Sequence, residues 1–266
     1  MELFIKAIIL GIVEGVTEFL PVSSTGHLII VNRFIDFTGK FATMFDIVIQ
    51  LGAILSVMVY FKNRLFPIEK SIDQLRKMHI VGVWKKTIAG VSPAIVIGGA
   101  FGGFVEEKLF NPTVVAIALV VGGVVLIIVE TMKKKVRFAT VNDMPYRIAV
   151  AIGFFQCIAM APGTSRSAAT IIGAMLLGMS RLAAAEFSFF LAIPTMLAAS
   201  AYSLLKSSLA LTMTEWAVLL VGFIVSFLTA WAVIAGFMRY IQSHDFKPFG
   251  YYRVALGIIV LFWMVF

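Results

Sequence analysis

Long apolar runs separated by short polar stretches dominate this chain. Residues 43–61, 87–105, 113–131, 185–203, 216–237 and 251–266 are six near-continuous apolar stretches, each close to the roughly 20 residues a helix needs to cross a ~30 Å hydrocarbon core. The short alternating segments of a transmembrane β-barrel are absent, so the runs predict membrane-spanning α-helices. Two further stretches, about 4–36 and 147–179, are apolar at both ends but broken in the middle, by Pro21 and Gly26 and by Pro162 and Gly163. Paired Pro/Gly-interrupted segments predict broken helices that line a site. The expected fold is an all-α integral membrane protein of six transmembrane helices plus two re-entrant helical hairpins.

The order of breaks and acidic residues recurs along the chain. Glu14 and Gln156 are 142 residues apart, Ser24 and Ser165 are 141 apart, and Asp46 and Glu186 are 140 apart. Three crossings lie between the two hairpins, an odd number, so the second half is expected to be inverted. This predicts one membrane domain over 1–266, built as an inverted-topology repeat of 1–133 and 134–266.

Composition agrees. The chain is 61% hydrophobic and 14% charged, with a mean hydropathy of +1.00, outside the range of soluble domains. Lys6 stands alone near the N-terminus while Glu14 and Glu18 interrupt the first apolar run, which argues against a cleavable signal. The lone Cys157 excludes an intrachain disulfide and a cysteine metal cluster. A net charge of +8 would suit nucleic acid, but the basic residues lie between spans, where anionic headgroups and orientation explain them. Nucleic acid is therefore not an expected partner; membrane lipids are. Sixteen of the 22 Lys and Arg fall on one predicted face, among them Arg64, Lys70, Lys133, Lys134, Lys135, Arg181 and Arg253. Five fall on the other, Lys6, Arg33, Lys40, Lys108 and Lys206, and Arg166 lies within the second hairpin. The positive-inside rule puts the sixteen in the cytoplasm, so the first hairpin opens outward and the second enters from the cytoplasm.

The hairpins carry the chemistry. An ionisable group at membrane depth costs roughly 2.5–3.5 kcal/mol even on a lenient scale, so its presence points to function. Glu14 and Glu18 share one helical face, and two crowded carboxylates suit a hard divalent cation, Mg²⁺ or Ca²⁺. After Pro21 come Ser23, Ser24, Thr25, Gly26 and His27, residue types that open a helix whose free N–H groups attract phosphate. His27, three residues after Ser24, would share its face, the arrangement of an activated hydroxyl. The second hairpin repeats the device with Gly163, Thr164, Ser165 and Ser167, while Arg166 adds a permanent, forked cation for phosphate oxygens. Gln156 holds the position matching Glu14. Asp46, Gln50 and Glu186 read as structural support. Gly98, Gly99, Gly102 and Gly103 give overlapping GxxxG patterns compatible with close packing or a homodimer.

The runs Glu14-Gly-Val-Thr-Glu18-Phe-Leu-Pro-Val-Ser-Ser-Thr-Gly-His27 and Pro162-Gly-Thr-Ser-Arg-Ser-Ala-Ala-Thr170 closely resemble the bacterial undecaprenyl-pyrophosphate phosphatase family associated with bacitracin resistance. Asp46 departs from it, standing where glutamate is expected. The resemblance implies hydrolysis of a polyprenyl pyrophosphate lipid to its monophosphate, recycling the carrier for peptidoglycan synthesis. It also implies a divalent cation and a site reached from the outer face of the bacterial plasma membrane. On this reading Ser24 is the nucleophile and His27 takes or relays its proton. Glu14 and Glu18 hold the cation, with one of them an alternative base. Arg166, with Ser23, Thr25, Gly26, Gly163, Thr164, Ser165, Ser167 and Gln156, engages the substrate. Direct attack by His27 or by activated water is left open, and the runner-up function is a transporter or flippase for the same class of lipid.

Overall fold

A computed structural model describes residues 1–68, 73–109, 111–132, 135–206 and 211–264, all essentially helical. The first broken stretch forms α1 (Glu2–Thr17) and α2 (Ser24–Phe34). Then follow α3 (Lys40–Tyr60), a single turn α4 (Lys62–Leu65), α5 (Gln74–Leu109) and α6 (Pro112–Thr131). The second broken stretch forms α7 (Tyr146–Ile158) and α8 (Arg166–Leu176), succeeded by α9 (Arg181–Lys206), α10 (Met213–Tyr240) and α11 (Lys247–Met264).

Both predicted breaks occur where the sequence places them. The chain leaves α1 after Thr17 and α7 after Ile158, and restarts on a serine N-cap each time. Ser23 accepts the Gly26 N–H at 3.3 Å, and Ser165 accepts the Ala168 N–H at 3.2 Å. Among the described residues, five helices are long and apolar enough to cross a membrane: Lys40–Tyr60, Gln74–Gly103, Pro112–Thr131, Arg181–Leu205 and Met213–Tyr240. The sixth expected span, 251–266, corresponds to α11, which starts earlier, at Lys247; residues 265–266 lie outside the described residues. α5 outruns its expected 87–105 by more than three turns at its start, because Gln74–Lys86 continues the helix with polar residues. Exposed Ile95, Val96, Val121, Leu220, Ile224 and Trp231 give the helices an apolar exterior, as a lipid-facing surface requires. The chain is thus an all-helical, multi-pass membrane protein.

Packing interleaves the two halves. α1 and α3 both lie against α10, α7 and α9 both lie against α5, and α6 packs along α11. These approaches are close: a methyl group on Gly15 would come within 2.8 Å of the Ser226 carbonyl oxygen on α10. Ion pairs fix which helix ends gather. Arg64, past the end of α3, meets Glu186 near the start of α9 at 2.9 Å. Arg181, opening α9, forks onto Glu130 at the end of α6, with Nη2 2.6 Å from Oε2. Glu130 Oε1 also accepts the Phe246 N–H at 2.9 Å, just before α11. Lys86 donates to the carbonyls of Val141 and Asn142, pinning the 139–143 loop to this same end. Lys6 donates to the Asp36 carbonyl at 3.2 Å, tying the start of α1 to the opposite end, where α3 begins.

One expectation changes. Arg253, counted among the cytoplasmic charges, is fully buried in the interior; Lys70, Lys133 and Lys134 of the same count lie outside the described residues. Of the two readings of the glycines at 98, 99, 102 and 103, close packing within this chain is not seen, since a Cβ at each would meet open space.

Candidate active site

The loops between the paired helices, residues 18–23 and 159–165, come together inside the bundle. Ser167 donates to the Leu20 carbonyl at 2.8 Å and binds Ser165 Oγ at 3.0 Å, so the second hairpin is bolted to the first loop. Both N-caps have strained backbones, Ser23 with φ 75° and Ser165 with φ 70°. Left-handed conformations in non-glycine residues cost about 1–3 kcal/mol each and gather at functional sites. Gly163, at φ 86°, meets that demand freely, and any side chain there would come within 2.5 Å of the Val115 carbonyl on α6.

A cavity of about 140 Å³ opens between the two breaks. From the first hairpin it is lined by Glu18, Ser23, Ser24 and Thr25; from the second by Pro162, Gly163, Ser165 and Arg166. The starts of α2 and α8 therefore converge on one void, and helix N-termini there favour an anion. Within it, Ser24 Oγ donates to Glu18 Oε2 at 2.5 Å. Arg166 Nη2 lies 3.3 Å from Glu18 Oε1 in a largely buried ion pair. Arg166 Nη1 donates to the Ser188 carbonyl at 2.8 Å, which aims the guanidinium from α8 into the cavity. One carboxylate thus joins a hydroxyl of the first half to a cation of the second.

The remaining expected residues stand outside this cavity wall. Glu14 is fully buried one turn before Glu18, with Glu18, Asp46 and Arg166 as its charged neighbours, and among the described residues neither of its carboxylate oxygens meets a hydrogen-bond partner. Gln156 donates to Thr195 Oγ1 at 3.2 Å, and its own oxygen is unpartnered. Ser167 acts as the strut described above. Gly26 packs beside Leu119, and Thr164 contributes its carbonyl rather than its hydroxyl to the local structure.

His27 differs most from expectation. Its Nδ1–H donates to the Ser23 carbonyl at 2.7 Å, and Nε2 accepts the Tyr252 hydroxyl at 2.6 Å. No hydrogen bond joins it to Ser24 among the described residues. Sharing a helical face was not sufficient: bonding to a carbonyl four residues back turns the ring away, and Glu18 takes the place beside the Ser24 hydroxyl.

Sequence reasoning missed three contributors and read a fourth, Gln50, only as structural support. Gln50 and Met196 line the cavity. Tyr252 and Arg253 come from α11, a helix with no recognisable motif. Arg253 donates to Pro21 O at 3.3 Å, Gly163 O at 3.1 Å, Thr164 O at 2.8 Å, Ala118 O at 3.1 Å and Leu119 O at 3.4 Å. Asp46, expected as support, accepts from Asn32 at 2.8 Å and holds α2 against α3.

A divalent cation can be tested against the donor set. Among the described residues no group of three or more His, Cys, Asp or Glu is arranged around a metal position. The buried, unpartnered oxygens of Glu14 beside Glu18 nonetheless fit Mg²⁺, which uses one or two carboxylates and completes its shell with water and substrate phosphate.

Fold and site together define a class: a polytopic helical membrane protein whose polar cavity sets a hydroxyl, a carboxylate and a guanidinium at the meeting of two helix breaks. Within that class, the chain belongs to the bacitracin resistance protein BacA family, which matches residues 7–259. It is 51% identical over 263 residues to undecaprenyl-diphosphatase 1 of Clostridioides difficile, covering 98% of this chain and 96% of that protein. The undecaprenyl-diphosphatase of Caldanaerobacter subterraneus is likewise 51% identical, over 98% of this chain and 96% of its own length. That of Enterococcus faecalis is 46% identical, over 97% and 95%.

Proposed function

We propose that this chain hydrolyses undecaprenyl pyrophosphate to undecaprenyl phosphate and inorganic phosphate. The observation that carries the reading is the Ser24–Glu18–Arg166 chain of contacts across the cavity. A transporter requires groups that bind phosphate; a hydroxyl 2.5 Å from a carboxylate oxygen is the arrangement of a nucleophile with its base.

The pyrophosphate enters the cavity while the isoprenoid tail remains among lipid-facing helices. Ser24 Oγ attacks the terminal phosphorus and passes its proton to Glu18. An O–P bond forms, the bridging P–O bond breaks, and undecaprenyl phosphate departs with the electron pair. Arg166, freed from Glu18 by the incoming anion, balances charge on the transferring group, assisted by the N-termini of α2 and α8. Water then attacks the phosphoserine, releasing phosphate and restoring the hydroxyl. Glu14 and Glu18 would hold a divalent cation, which supplies charge neutralisation to the pyrophosphate when bound. His27 holds the Ser23 carbonyl and so the strained turn from which Ser24 projects.

The finer architecture belongs to the same proposal: six spans, two re-entrant hairpins and an inverted repeat of 1–133 and 134–266. Its support is the swapped packing, α1 and α3 on α10 against α7 and α9 on α5. The matched serine caps at 23 and 165 add to it, as do hairpins tethered at opposite ends of the bundle. The charge distribution supports a plasma-membrane site open to the outer face.

Trapping the covalent intermediate tests the nucleophile. Acid-quenched enzyme incubated with labelled polyprenyl pyrophosphate should carry phosphate on Ser24, and Ser24→Ala should carry none. Phosphate on His27 refutes the serine route.

A further inference from the structure

Arg253 is a fully buried cation, and among the described residues its side chain forms no ion pair, only hydrogen bonds. Burying an ionised group is unfavourable unless its hydrogen-bonding capacity is met, and here each hydrogen bond from the guanidinium goes to a backbone carbonyl. Those carbonyls come from three separate elements. Nη1 reaches Pro21 in the first loop, Nη2 reaches Gly163 and Thr164 in the second loop and Ala118 on α6, and Nε reaches Leu119. The two loops it joins are those that deliver Glu18, Ser24 and Arg166 to the cavity.

The neighbouring sequence makes room for the guanidinium. A methyl group on Gly122 would collide with its Nη2 and Cζ, and one on Gly123 would come within 3.0 Å of the Arg253 Cβ. A fork with five N–H donors is the side chain that can bridge such a spread of acceptors; a lysine ammonium has three donors on a single nitrogen.

We infer that Arg253 is a positioning residue for the hydrolytic site: it clasps the two helix breaks together and sets the distance between the Ser24–Glu18 pair and Arg166. Its own side chain does not line the cavity, so it acts through the backbone of residues 21, 163 and 164, of which Gly163 forms part of the wall. The inference rests on the hydrolase reading above, since the value of the clasp lies in the register it imposes on reacting groups. A misplacement of about 1 Å can cost roughly 10²-fold in rate.

The test compares purified full-length native chain with Arg253→Lys, which keeps the charge and loses the fork, and with Gly122→Ala, which leaves Arg253 in place and crowds the guanidinium off its carbonyls. Both variants should lose about 10²-fold in kcat for polyprenyl pyrophosphate with KM within about threefold of native. Amide hydrogen exchange should quicken in residues 18–23 and 159–165 while α3 and α9 keep native protection. In an Arg166→Ala background, Arg253→Lys should cost little further in kcat, because the alignment it maintains has already lost its partner. Native exchange in both loops, or native kcat in either variant, overturns the proposal. Loss of protection throughout α3 and α9 in both variants assigns Arg253 to global stability and equally overturns it. If the native chain itself releases no phosphate, the hydrolase reading fails, and the exchange measurement still decides whether the clasp exists.

Discussion

The Ser24 hydroxyl and the Glu18 carboxylate stand at hydrogen-bonding distance, and Glu18 spends its other oxygen on Arg166. In the proposed mechanism Glu18 takes the proton, so Glu18→Gln should lower kcat by about 10²–10⁴-fold, the range for losing a general base, measured by phosphate release at saturating substrate. Glu14 has a different position: buried, four residues earlier, with both oxygens unpartnered. Glu14→Gln should therefore raise the Mg²⁺ concentration needed for half-maximal activity, with a smaller effect at saturating Mg²⁺ than Glu18→Gln. Equal responses to Mg²⁺ in native and variant would remove Glu14 from the cation site. Tyr252 matters through His27. Tyr252→Phe removes one hydrogen bond, about 1 kcal/mol, and should reduce kcat/KM severalfold, far less than Glu18→Gln.

At the scale of elements, the breaks are where sequence and structure agree best. Pro21 with Gly26, and Pro162 with Gly163, interrupt apolar runs, and α2 and α8 each restart on a serine cap. Local chemistry dictates this much, because a proline withholds an N–H and a serine replaces the missing acceptor. Gly163 shows how tightly one break is specified. Gly163→Ala meets both a left-handed backbone and the Val115 carbonyl, and should destabilise the chain by more than the roughly 1–3 kcal/mol of the backbone strain alone, read as a drop in thermal midpoint in detergent. α11 was illegible for the opposite reason. Tyr252 and Arg253 at the start of an apolar run look like an interfacial aromatic and a flanking positive charge. Tyr252 stays exposed, but the burial of Arg253 depends on α6, where Gly122 and Gly123 open a channel for the guanidinium; only pairing those glycines with a helix more than a hundred residues away could have revealed it. The relation of Ser24 to His27 failed similarly, since helical spacing fixes which face a side chain leaves from and says nothing of the partner that captures it.

For the whole molecule, swapped packing of the halves and hairpins tethered at opposite ends put the cavity deep in the bundle, with composition and apolar exterior demanding a bilayer around it. On the proposed topology the charge distribution turns it outward. In a Cys157→Ala background, a cysteine at Thr38 should react with a membrane-impermeant thiol reagent on intact cells, and one at Ser243 only after permeabilisation. The reverse pattern would turn the site toward the cytoplasm. The central claim is that residues from both halves form one hydrolytic centre. Its most direct measurement is phosphate release from polyprenyl pyrophosphate by purified protein in detergent, where there are no two sides for transport. Native chain should turn over, chelator should suppress it, and Arg166→Ala should lose about 10³-fold or more. Native activity in Arg166→Ala, or no release from the native chain, would contradict the account.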